Sequence, residues 1–354
     1  MKVLITGGCG FLGTNLANHF LEKNNQVFIL DSLYRKGSDA NLNWLKSLDK
    51  NHNLTFLKLD IRLFEDLESF FKKFGPFDYV CHVAGQVAMT SSIIDPRGDL
   101  MTNIIGTFNI LEAIRKYSIN SLLAFSSTNK VYGDLNNLIY SETNSRYEVA
   151  DYPKGFDEFL KLDFSTPYGC SKGSADQYVR DWSRVYGLKT VVFRHSSIYG
   201  GRQFSTKDQG WIGWFVTKFL EQQNFYKLST GFKPFTISGT GKQVRDVLHS
   251  DDLVNLYRLA YIHKEKVSGH VFNIGGGIEN SLSIIELLEI LENILDFKEV
   301  KYKNIKRRTS DQNFFVADIT KAKKIINWKP YINVDNGLTQ MINWVRANLN
   351  LNKN

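Results

Sequence analysis

The chain has 354 residues, of which 43% are hydrophobic and 23% charged, with 26 glycines and only 6 prolines. This composition is typical of a globular protein with a large core, and it excludes collagen-like, low-complexity and disordered chains. At about 150 residues per domain, the length predicts two domains or one large domain with an appendage. The net charge of +8 would suit an anionic small molecule or reflect scattered surface lysines, and no basic helix or arm indicates nucleic acid binding.

Cysteine usage and hydropathy indicate the cellular compartment in which the protein is expected. Cys9, Cys81 and Cys170 are too few and too scattered for a disulfide framework or a zinc site, so no metal centre is expected. The first residues run directly into the apolar segment MKVLIT, and no apolar run approaches the roughly 18 residues of a membrane span. We therefore expect a cytoplasmic protein that does not cross a membrane.

Short β-branched runs alternate with amphipathic stretches along most of the chain. The runs predicted to be strands are residues 3–6, 27–31, 54–60, 79–83, 122–126, 191–195 and 271–274. After the first run, Leu12, Leu16 and Phe20 form one apolar stripe, which predicts a helix that begins after Gly10. Such alternation predicts the α/β class, with a parallel sheet of about seven strands covered on both faces.

Two regions interrupt the alternation. The approximate ranges 134–166 and 201–242 are rich in Gly, Tyr or Trp without a regular period, and we predict long binding loops there. Near the C-terminus, Ser283 and Glu286 form a capping box ahead of a pattern of leucines, which predicts a second cluster of helices. The last six residues, LNLNKN, have little to bury and are expected to fray.

A glycine-rich segment, TGGCGFLG at residues 6–13, joins the first strand to the first helix. Gly7 permits a tight turn, Gly10 lets the backbone approach a pyrophosphate, and Gly13 lets the helix pack closely on the strand. The main-chain amides that begin the helix, around Phe11 and Leu12, would then face the phosphates. Because a glycine-rich loop alone is a weak signal, a plain turn is the alternative at this point.

Further residues favour a bound dinucleotide. Asp31 ends the second strand at the position expected for a carboxylate that accepts hydrogen bonds from the adenosine ribose, and its charge favours NAD over NADP. Arg35 and Lys36 leave NADP open, because they could neutralise a 2′-phosphate. The other candidate contacts, each of which could instead serve a turn or packing, are Ser32, Asp60, Ile61, Ala84, Gln86, Asn103 and Ser126.

Tyr168 and Lys172 are spaced i, i+4 and share one face of a helix, with Thr166 as the predicted N-cap. The same spacing recurs at residues 302–306, so the pattern alone is not evidence of a site. Context favours the first pair, because it follows the strand that leads into Thr128, whereas the second lies in a basic stretch.

Tyr168 and Lys172 together could carry out a proton transfer. A phenol with a pKa of about 10 must be lowered by about 3 units to act as a base near neutrality, which requires about 4 kcal/mol. An ammonium at about 4 Å supplies about 4 kcal/mol at an effective dielectric constant of about 20. We therefore expect Lys172 to suffice for Tyr168, with the positive ring of an oxidised cofactor adding to it, and Thr128 to hold the reacting hydroxyl. The predicted reaction oxidises an alcohol to a ketone while NAD takes a hydride.

These residues, with SSTNKVYGD at 126–134 and YGCSK at 168–172, resemble the extended short-chain dehydrogenases/reductases, the superfamily of nucleotide-sugar epimerases and dehydratases. The resemblance spans nearly the whole chain. It implies a Rossmann-type doubly wound parallel sheet in an NAD-binding domain of residues 1–200, to which 240–276 returns. It also implies a smaller, mostly helical nucleotide-sugar domain of 201–239 and 277–354.

Longer blocks, such as FRHSSIYGGRQF at 193–204 and FTISGTGKQVRDVLH at 235–249, are similar to the members that act at C2 of CDP-linked dideoxyhexoses. This resemblance implies conversion of a CDP-3,6-dideoxyhexose, paratose to tyvelose, for O-antigen sugars. NAD would be tightly bound and recycled, and the assembly would be a homotetramer. The catalytic residues would be Thr128, Tyr168 and Lys172, the last two also touching NAD.

One position separates two groups of the superfamily. The 4,6-dehydratases carry an Asp-Glu pair directly after the catalytic threonine, because eliminating water needs an acid and a base. Here Asn129 and Lys130 occupy those places, so a dehydratase is a poor fit. A UDP-hexose 4-epimerase with the same redox residues is the alternative, and a non-catalytic NAD-binding regulator is a remote one.

The resemblance also implies substrate contacts. Arg245 and Arg308 would grip the diphosphate and Asp311 would lie near the ribose, although surface ion pairs would explain each arginine equally well. The residues expected around the sugar are Thr128, Asn129, Lys130, His195, Ser196, Arg202, Gln203 and Gln209. For His195, a hydrogen-bonded core position is an equal alternative.

Overall fold

A computed structural model describes residues 1–228, 231 and 233–348; the six terminal residues expected to fray lie outside this part. The strands in chain order are β1 Lys2–Thr6, β2 Gln26–Asp31, β3 Leu54–Lys58, β4 Tyr79–His82, β5 Leu122–Thr128, β6 Ser141–Glu142, β7 Tyr147–Glu148, β8 Lys189–His195, β9 Ser197–Tyr199, β10 Phe235–Ser238, β11 Val244–His249, β12 His270–Ile274, β13 Ser281–Ser283, β14 Tyr302–Ile305 and β15 Phe314–Phe315.

The α-helices in chain order are α1 Phe11–Glu22, α2 Ser38–Leu48, α3 Phe64–Phe74, α4 Met89–Ile94, α5 Pro96–Leu100, α6 Gly106–Tyr117, α7 Thr166–Tyr186, α8 Trp211–Lys227, α9 Ser250–Ile262, α10 Lys264–Val267, α11 Ile284–Leu295, α12 Thr320–Ile326 and α13 Val334–Ala347. A π-helical turn, Met101–Ile105, connects α5 to α6. Within the described residues, no helix combines the length and the apolar character that crossing a membrane would require.

Seven parallel strands form the main sheet in the order β12-β8-β5-β4-β1-β2-β3. Each of the seven predicted runs overlaps one of these strands, which confirms the α/β class and the Rossmann-type sheet. Consecutive strands run outward from β1 in opposite directions, so a crevice opens at the carboxyl ends of β1 and β4. The candidate site lies along this edge.

Helices cover both faces of the sheet. On one face α1 and α9 bury Leu16, Phe20 and Tyr257 against the strands. On the other face α3, α6 and α7 bury Phe70, Ile110 and their neighbours. Apolar burial on both faces explains why the strands read as nearly continuous apolar runs and not as alternating ones.

The later segments form a second layer of structure. Strands β9, β11, β13 and β15 make a four-stranded mixed sheet, and β10 pairs with β14. Helices α8, α11 and α13 pack around them in a separate apolar cluster, and α11 carries the predicted capping box. The prediction of a long loop over 201–242 is wrong, because α8 is a helix of 17 residues whose side chains at Ile212, Phe215, Val216 and Phe219 are buried at helical spacing.

The predicted domain bounds stay a prediction, and packing adds detail to them. Strand β12 and helix α9 complete the main sheet and its cover, whereas β11, which precedes both in the predicted returning segment, pairs in the smaller sheet. Trp328, far along the chain, is fully buried beside α9 in the first core cluster. The last third of the chain therefore contributes to both cores.

Candidate active site

The loop between β1 and α1 has no room for side chains. Gly7 has a φ of +70°, and a Cβ there would lie 2.7 Å from the Ala84 Cα after β4. A Cβ on Gly13 would lie 2.2 Å from the Gly7 carbonyl oxygen. Gly10 precedes Phe11, the first residue of α1, and no side chain caps that helix. The free amides of the first turn and the open cradle above them fit a dinucleotide diphosphate.

Asp31, at the end of β2, faces this loop. Its Oδ2 accepts a hydrogen bond from the Cys9 amide at 2.9 Å, and Oδ1 accepts one from the Leu33 amide at 2.8 Å. Burial raises the pKa of Asp31, and these main-chain hydrogen bonds oppose the rise. Arg35 borders the same cleft. Burial lowers the pKa of its guanidinium, and the nearby charges of Tyr168 and Asp31 both raise it. The Asp31 carboxylate therefore contacts the glycine loop, and the Arg35 guanidinium interacts with both Asp31 and Tyr168.

The next predicted cofactor contacts lie at the ends of β2 and β3 and under the loop. Asp60 pairs with Arg62 at 2.5 Å, and this hydrogen bond holds the pKa of the carboxyl below its usual range. Ile61 is buried, Leu12 packs against the core below the loop, and Ser32 is exposed. These residues border the cleft from the side of β3.

Asn103, in the π-helical turn, organises the end of β4. Its Oδ1 accepts a hydrogen bond from the Gln86 amide at 2.9 Å, and its Nδ2 donates to the Gln86 carbonyl at 3.1 Å. The same Nδ2 lies 3.2 Å from Asp99 Oδ1 and 3.0 Å from Ser171 Oγ. The Asn103 side chain is therefore engaged with protein groups and connects β4 to α7.

Helix α7 brings Tyr168 to the end of β5. Thr166, the predicted N-cap, is the first helical residue, but its Oγ1 still accepts a hydrogen bond from the Gly169 amide at 3.3 Å. The Tyr168 amide donates to Ser92 Oγ at 3.1 Å. The phenol is buried and shares a hydrogen bond with the Thr128 hydroxyl. The structure thus brings the Thr128 hydroxyl and the Tyr168 phenol together.

The electrostatics of Tyr168 differ from the sequence-based expectation. Burial raises its pKa to about 12; the Thr128 hydrogen bond and the charge of Arg35 lower it, and the charge of Asp99 raises it. The expectation that Lys172 suffices, with the oxidised ring adding to it, does not include desolvation and stays a prediction. Bringing a pKa of about 12 near neutrality takes about 7 kcal/mol, more than the roughly 4 kcal/mol that one ammonium supplies. The sequence argument omitted the desolvation of the phenol.

Lys172 is also buried, and its Nζ donates a hydrogen bond of 2.5 Å to the main-chain oxygen of Ser126. Burial lowers its pKa to about 7, while the charges of Asp176 and Asp99 raise it. A Cβ on Gly85 would lie 3.8 Å from this Nζ. The glycine therefore leaves space between the end of β4 and the lysine.

His195, at the end of β8, is the register partner of Thr128. Its ring stacks on Tyr257 at 6.4 Å, and neither ring nitrogen has a hydrogen-bond partner among the described residues. Burial, followed by the charge of Lys172, lowers the pKa of His195 to about 3, so the ring is neutral. The hydrogen-bonded core alternative is wrong, and two unpaired nitrogens lie beside the candidate catalytic residues.

The two residues after Thr128 face the second layer. Asn129 Nδ2 donates to Gln312 Oε1 at 2.9 Å, and Lys130 Nζ donates to the Ser310 carbonyl oxygen at 3.0 Å. Burial, and secondarily the charge of Arg245, lowers the pKa of Lys130 to about 8. Neither side chain can act as the carboxylic acid or carboxylate of an elimination.

Three of the predicted substrate residues line one cavity of about 150 Å³. They are Arg245, Arg308 and Asp311, and the indoles of Trp211 and Trp214 line the same space. The Arg245 guanidinium pairs with the Asp311 carboxylate at 2.7 Å, and Arg308 donates to a main-chain oxygen at 2.8 Å. Guanidinium groups beside aromatic rings suit an anionic nucleotide.

Four other predicted sugar contacts do not line this cavity. Ser196 Oγ donates to a main-chain oxygen of β11 at 3.1 Å. The Arg202 guanidinium lies 3.7 Å from the centre of the Trp44 ring on α2. Gln203 is buried with its Oε1 unpaired among the described residues, and Gln209 forms main-chain hydrogen bonds only with its own loop. They occupy the segment between the main sheet and α8.

Sequence reasoning missed Asp99, Ser171 and Gln312. The i, i+4 spacing of Asp99 and Asn103 was a signal, but it is too common to single out a site. Gln312 contacts Asn129 across 183 positions of the chain, and no local pattern reports such a contact.

Comparisons with known proteins agree with this geometry. A model of the "NAD dependent epimerase/dehydratase family" matches residues 3–275. CDP-paratose 2-epimerase of Salmonella typhi is 51% identical over 98% of this chain and 100% of its own length. A putative UDP-glucose 4-epimerase of Methanocaldococcus jannaschii is 31% identical over 98% and 99% of the two chains. The structure of UDP-glucose 4-epimerase from Thermotoga maritima, solved with UDP-glucose, superimposes with a TM-score of 0.81 at 30% identity, covering 99% of this chain and 100% of the other.

Proposed function

The chain belongs to the NAD dependent epimerase/dehydratase family, and on that premise we propose that it inverts C2 of CDP-paratose to form CDP-tyvelose. The observation that carries this proposal is the 51% identity, along the full length, to a protein named for that reaction. Two relatives named 4-epimerases are 31% and 29% identical. A UDP-hexose 4-epimerase is therefore the less supported alternative.

We assign the proton transfer to Tyr168, as a phenolate that takes the C2 hydroxyl proton and later returns it. Thr128, which shares a hydrogen bond with this phenol, holds the reacting oxygen in place. The glycine loop at Gly7, Gly10 and Gly13 would hold NAD, which would supply a hydride acceptor and donor for C2, and the positive charge of its oxidised ring would favour the phenolate. The sugar passes through a 2-keto form and turns over between the two transfers.

Lys172 and His195 complete the environment of the reacting carbon. Lys172 is fixed by the Ser126 carbonyl oxygen and touches the cofactor side of the cleft. The two unpaired nitrogens of neutral His195 can donate to or accept from a sugar hydroxyl. Asn129 Nδ2 and Lys130 Nζ donate to residues 310–312, and Asn129 Oδ1 accepts a hydrogen bond from the Thr128 hydroxyl at 3.3 Å.

The diphosphate would be anchored in the cavity of Arg245 and Arg308. Arginine forks match phosphate oxygens in pairs. Arg245 is held at the cavity by the Asp311 carboxylate and by the main-chain oxygens of Val244 and Gln312, to which its Nη1 donates. An anchored diphosphate leaves the sugar as the part that rotates. Two faces of C2 can then be presented in turn to one tyrosine.

We also propose a cytoplasmic homotetramer that supplies O-antigen synthesis. Support for assembly comes from an exposed aromatic face on α6 and α7, where Phe108, Tyr178 and Tyr186 are 37%, 41% and 46% exposed. Apolar faces of this kind are usually covered by a second subunit. Light scattering on the purified protein would report four subunits, and a monomer would contradict the proposal.

The decisive experiment is incubation of the purified protein with CDP-paratose, followed by NMR of the sugar ring. Inversion at C2 without added NAD supports the proposal, since a recycled cofactor copurifies. UDP-glucose is the parallel substrate: inversion at C4 there, with none at C2 of CDP-paratose, favours the alternative. No change of either sugar by an NAD-loaded protein would point to a regulator.

A further inference from the structure

Asp99 is a buried carboxylate that the mechanism above does not use. It lies on α5, one turn before Asn103, and its residue is 1% exposed. Its Oδ1 accepts a hydrogen bond from Asn103 Nδ2 at 3.2 Å, and its buried Oδ2 has no partner among the described residues. Burial raises the pKa of Asp99, and the Ser171 hydroxyl and the charge of Lys172 oppose the rise. A buried carboxyl oxygen without a partner is costly, so its retention needs a reason.

The position of this carboxylate supplies the reason. Asn103 links it to Ser171, the residue next to Lys172 on α7. A Cβ on Gly85 would lie 3.0 Å from Asn103 Oδ1 and 3.8 Å from Lys172 Nζ, so the amide and the ammonium border one small space. The charge of Asp99 acts on both members of the Tyr168–Lys172 pair.

We propose that Asp99 is a positioning residue whose carboxylate keeps Lys172 protonated and sets the pH range in which the Tyr168–Lys172 pair works. Its role rests on the proposed function, because Tyr168 is the base there. A negative charge stabilises the ammonium of Lys172 and opposes the phenolate of Tyr168, so it shifts the ionisation of both groups toward higher pH.

The other charges around the pair act differently from Asp99. Asp176, four residues after Lys172, also raises the pKa of Lys172, and its carboxylate pairs with Arg194 at 2.8 Å, whereas Asp99 acts on Tyr168 as well. Arg35 faces the phenol and lowers its pKa, which is the opposite effect to that of Asp99. His82 and His195 flank Lys172 from β4 and β8, but burial lowers the pKa of each to about 3. Asp95, the remaining carboxylate near Asp99, is exposed.

The test compares Asp99→Asn with Asp95→Asn as a matched control. Both exchanges neutralise one carboxylate at α5, but the Asp95 side chain is an exposed helix cap. From the pH dependence of kcat/KM for CDP-paratose, we expect both limbs of the Asp99→Asn profile to move to lower pH by about one to two units. The Asp95→Asn profile should stay close to that of the wild-type protein. If a folded, NAD-loaded Asp99→Asn protein keeps both limbs in place, the proposal is wrong.

A spectroscopic titration separates this proposal from the proposed function. In NAD-loaded protein, the ultraviolet tyrosinate signal that is lost in Tyr168→Phe should appear at lower pH in Asp99→Asn, whether or not CDP-paratose is turned over. An unshifted signal would overturn the role of Asp99 while leaving the epimerase intact. Conversely, a shifted signal in a protein without C2 activity would refute the proposed reaction alone.

Should Asp99→Asn fail to fold, the wild-type protein still decides the matter. Carbon-13 labelling of aspartate carboxyls gives the ionisation of Asp99, assigned by the signal lost in Asp99→Glu. We expect an ionised carboxylate at neutral pH. A protonated Asp99 there could not hold the Lys172 charge, and the proposal would fall.

Discussion

Lys172 donates a 2.5 Å hydrogen bond from Nζ to the main-chain oxygen of Ser126, which ties the middle of α7 to the end of β5. The contact joins residues that are 46 positions apart. It also fixes the side-chain nitrogen of Lys172 at the strand end. The lysine is therefore oriented by the sheet before any ligand arrives.

We expect the pH dependence of stability to report the burial of Lys172. Its pKa is about 7 in the folded protein, below the roughly 10.4 of an unfolded lysine. Between these values the unfolded chain binds more protons, so stability rises with pH in this window. Relative to Lys172→Met, the wild-type protein without cofactor should gain about 1 kcal/mol per pH unit from pH 7 to pH 9. Urea unfolding of both proteins measures this difference, and parallel curves would contradict it.

Tyr168→Phe should lose turnover by about 10²- to 10⁴-fold, the usual contribution of a general base. The NAD content, measured after denaturation, should stay that of the wild-type protein, because the ring remains in place. Tyr302→Phe is the matched control: it lies in the second Tyr-x-x-x-Lys pair, exposed on β14, and should keep full activity. A Tyr168→Phe enzyme with near-normal turnover would disprove the assignment of the base.

Arg245→Lys should raise KM for the CDP-sugar about 10- to 100-fold with a smaller effect on kcat. A lysine keeps the charge but loses the fork that meets Asp311 and the phosphate oxygens, and a hydrogen bond to a charged group contributes about 1.5–3 kcal/mol. Steady-state kinetics measures the changes in KM and in kcat separately. Arg346→Lys, on the exposed face of α13, should change neither constant. An effect of Arg245→Lys on kcat alone would place the arginine outside the diphosphate site.

Gly13→Ala should abolish copurification of NAD. A Cβ would lie 2.2 Å from the Gly7 carbonyl oxygen, so the glycine loop or α1 must move, and the diphosphate cradle is lost. Gly201→Ala is the control, because its Cβ would meet the Trp344 ring at an ordinary 3.5 Å. Absorbance of the released nucleotide gives the occupancy. Normal occupancy in a folded Gly13→Ala protein would show that the loop does not hold the cofactor.

Local patterns predicted the main sheet well. All seven apolar runs became strands of it, because a strand buried on both faces leaves a continuous apolar signature. Helix α8 was missed since its glycine and its two tryptophans resemble the composition of a loop. The spacing of Ile212, Phe215, Val216 and Phe219 was a helical signal within that segment.

The site was predictable in its members but not in its energetics. Thr128, Tyr168 and Lys172 share a strand end and a helix face, which spacing can report. Desolvation cannot be read from spacing, so the rise of the Tyr168 pKa to about 12 and the unpaired His195 ring were not foreseen. The hydrogen bond between Asn129 and Gln312 depends on how the second layer packs against the main sheet.

The hydrogen bonds from Asn129 and Lys130 to residues 310–312 hold two parts of the candidate site at a fixed separation. The same short segment carries Asp311, which pairs with Arg245. Direct hydrogen bonds, and not a hinge, therefore set the distance between the cavity that would bind the nucleotide and the site where a proton would be transferred. A sugar that rotates about its anchored diphosphate would therefore present either face of the ring at the same distance from the site of proton transfer.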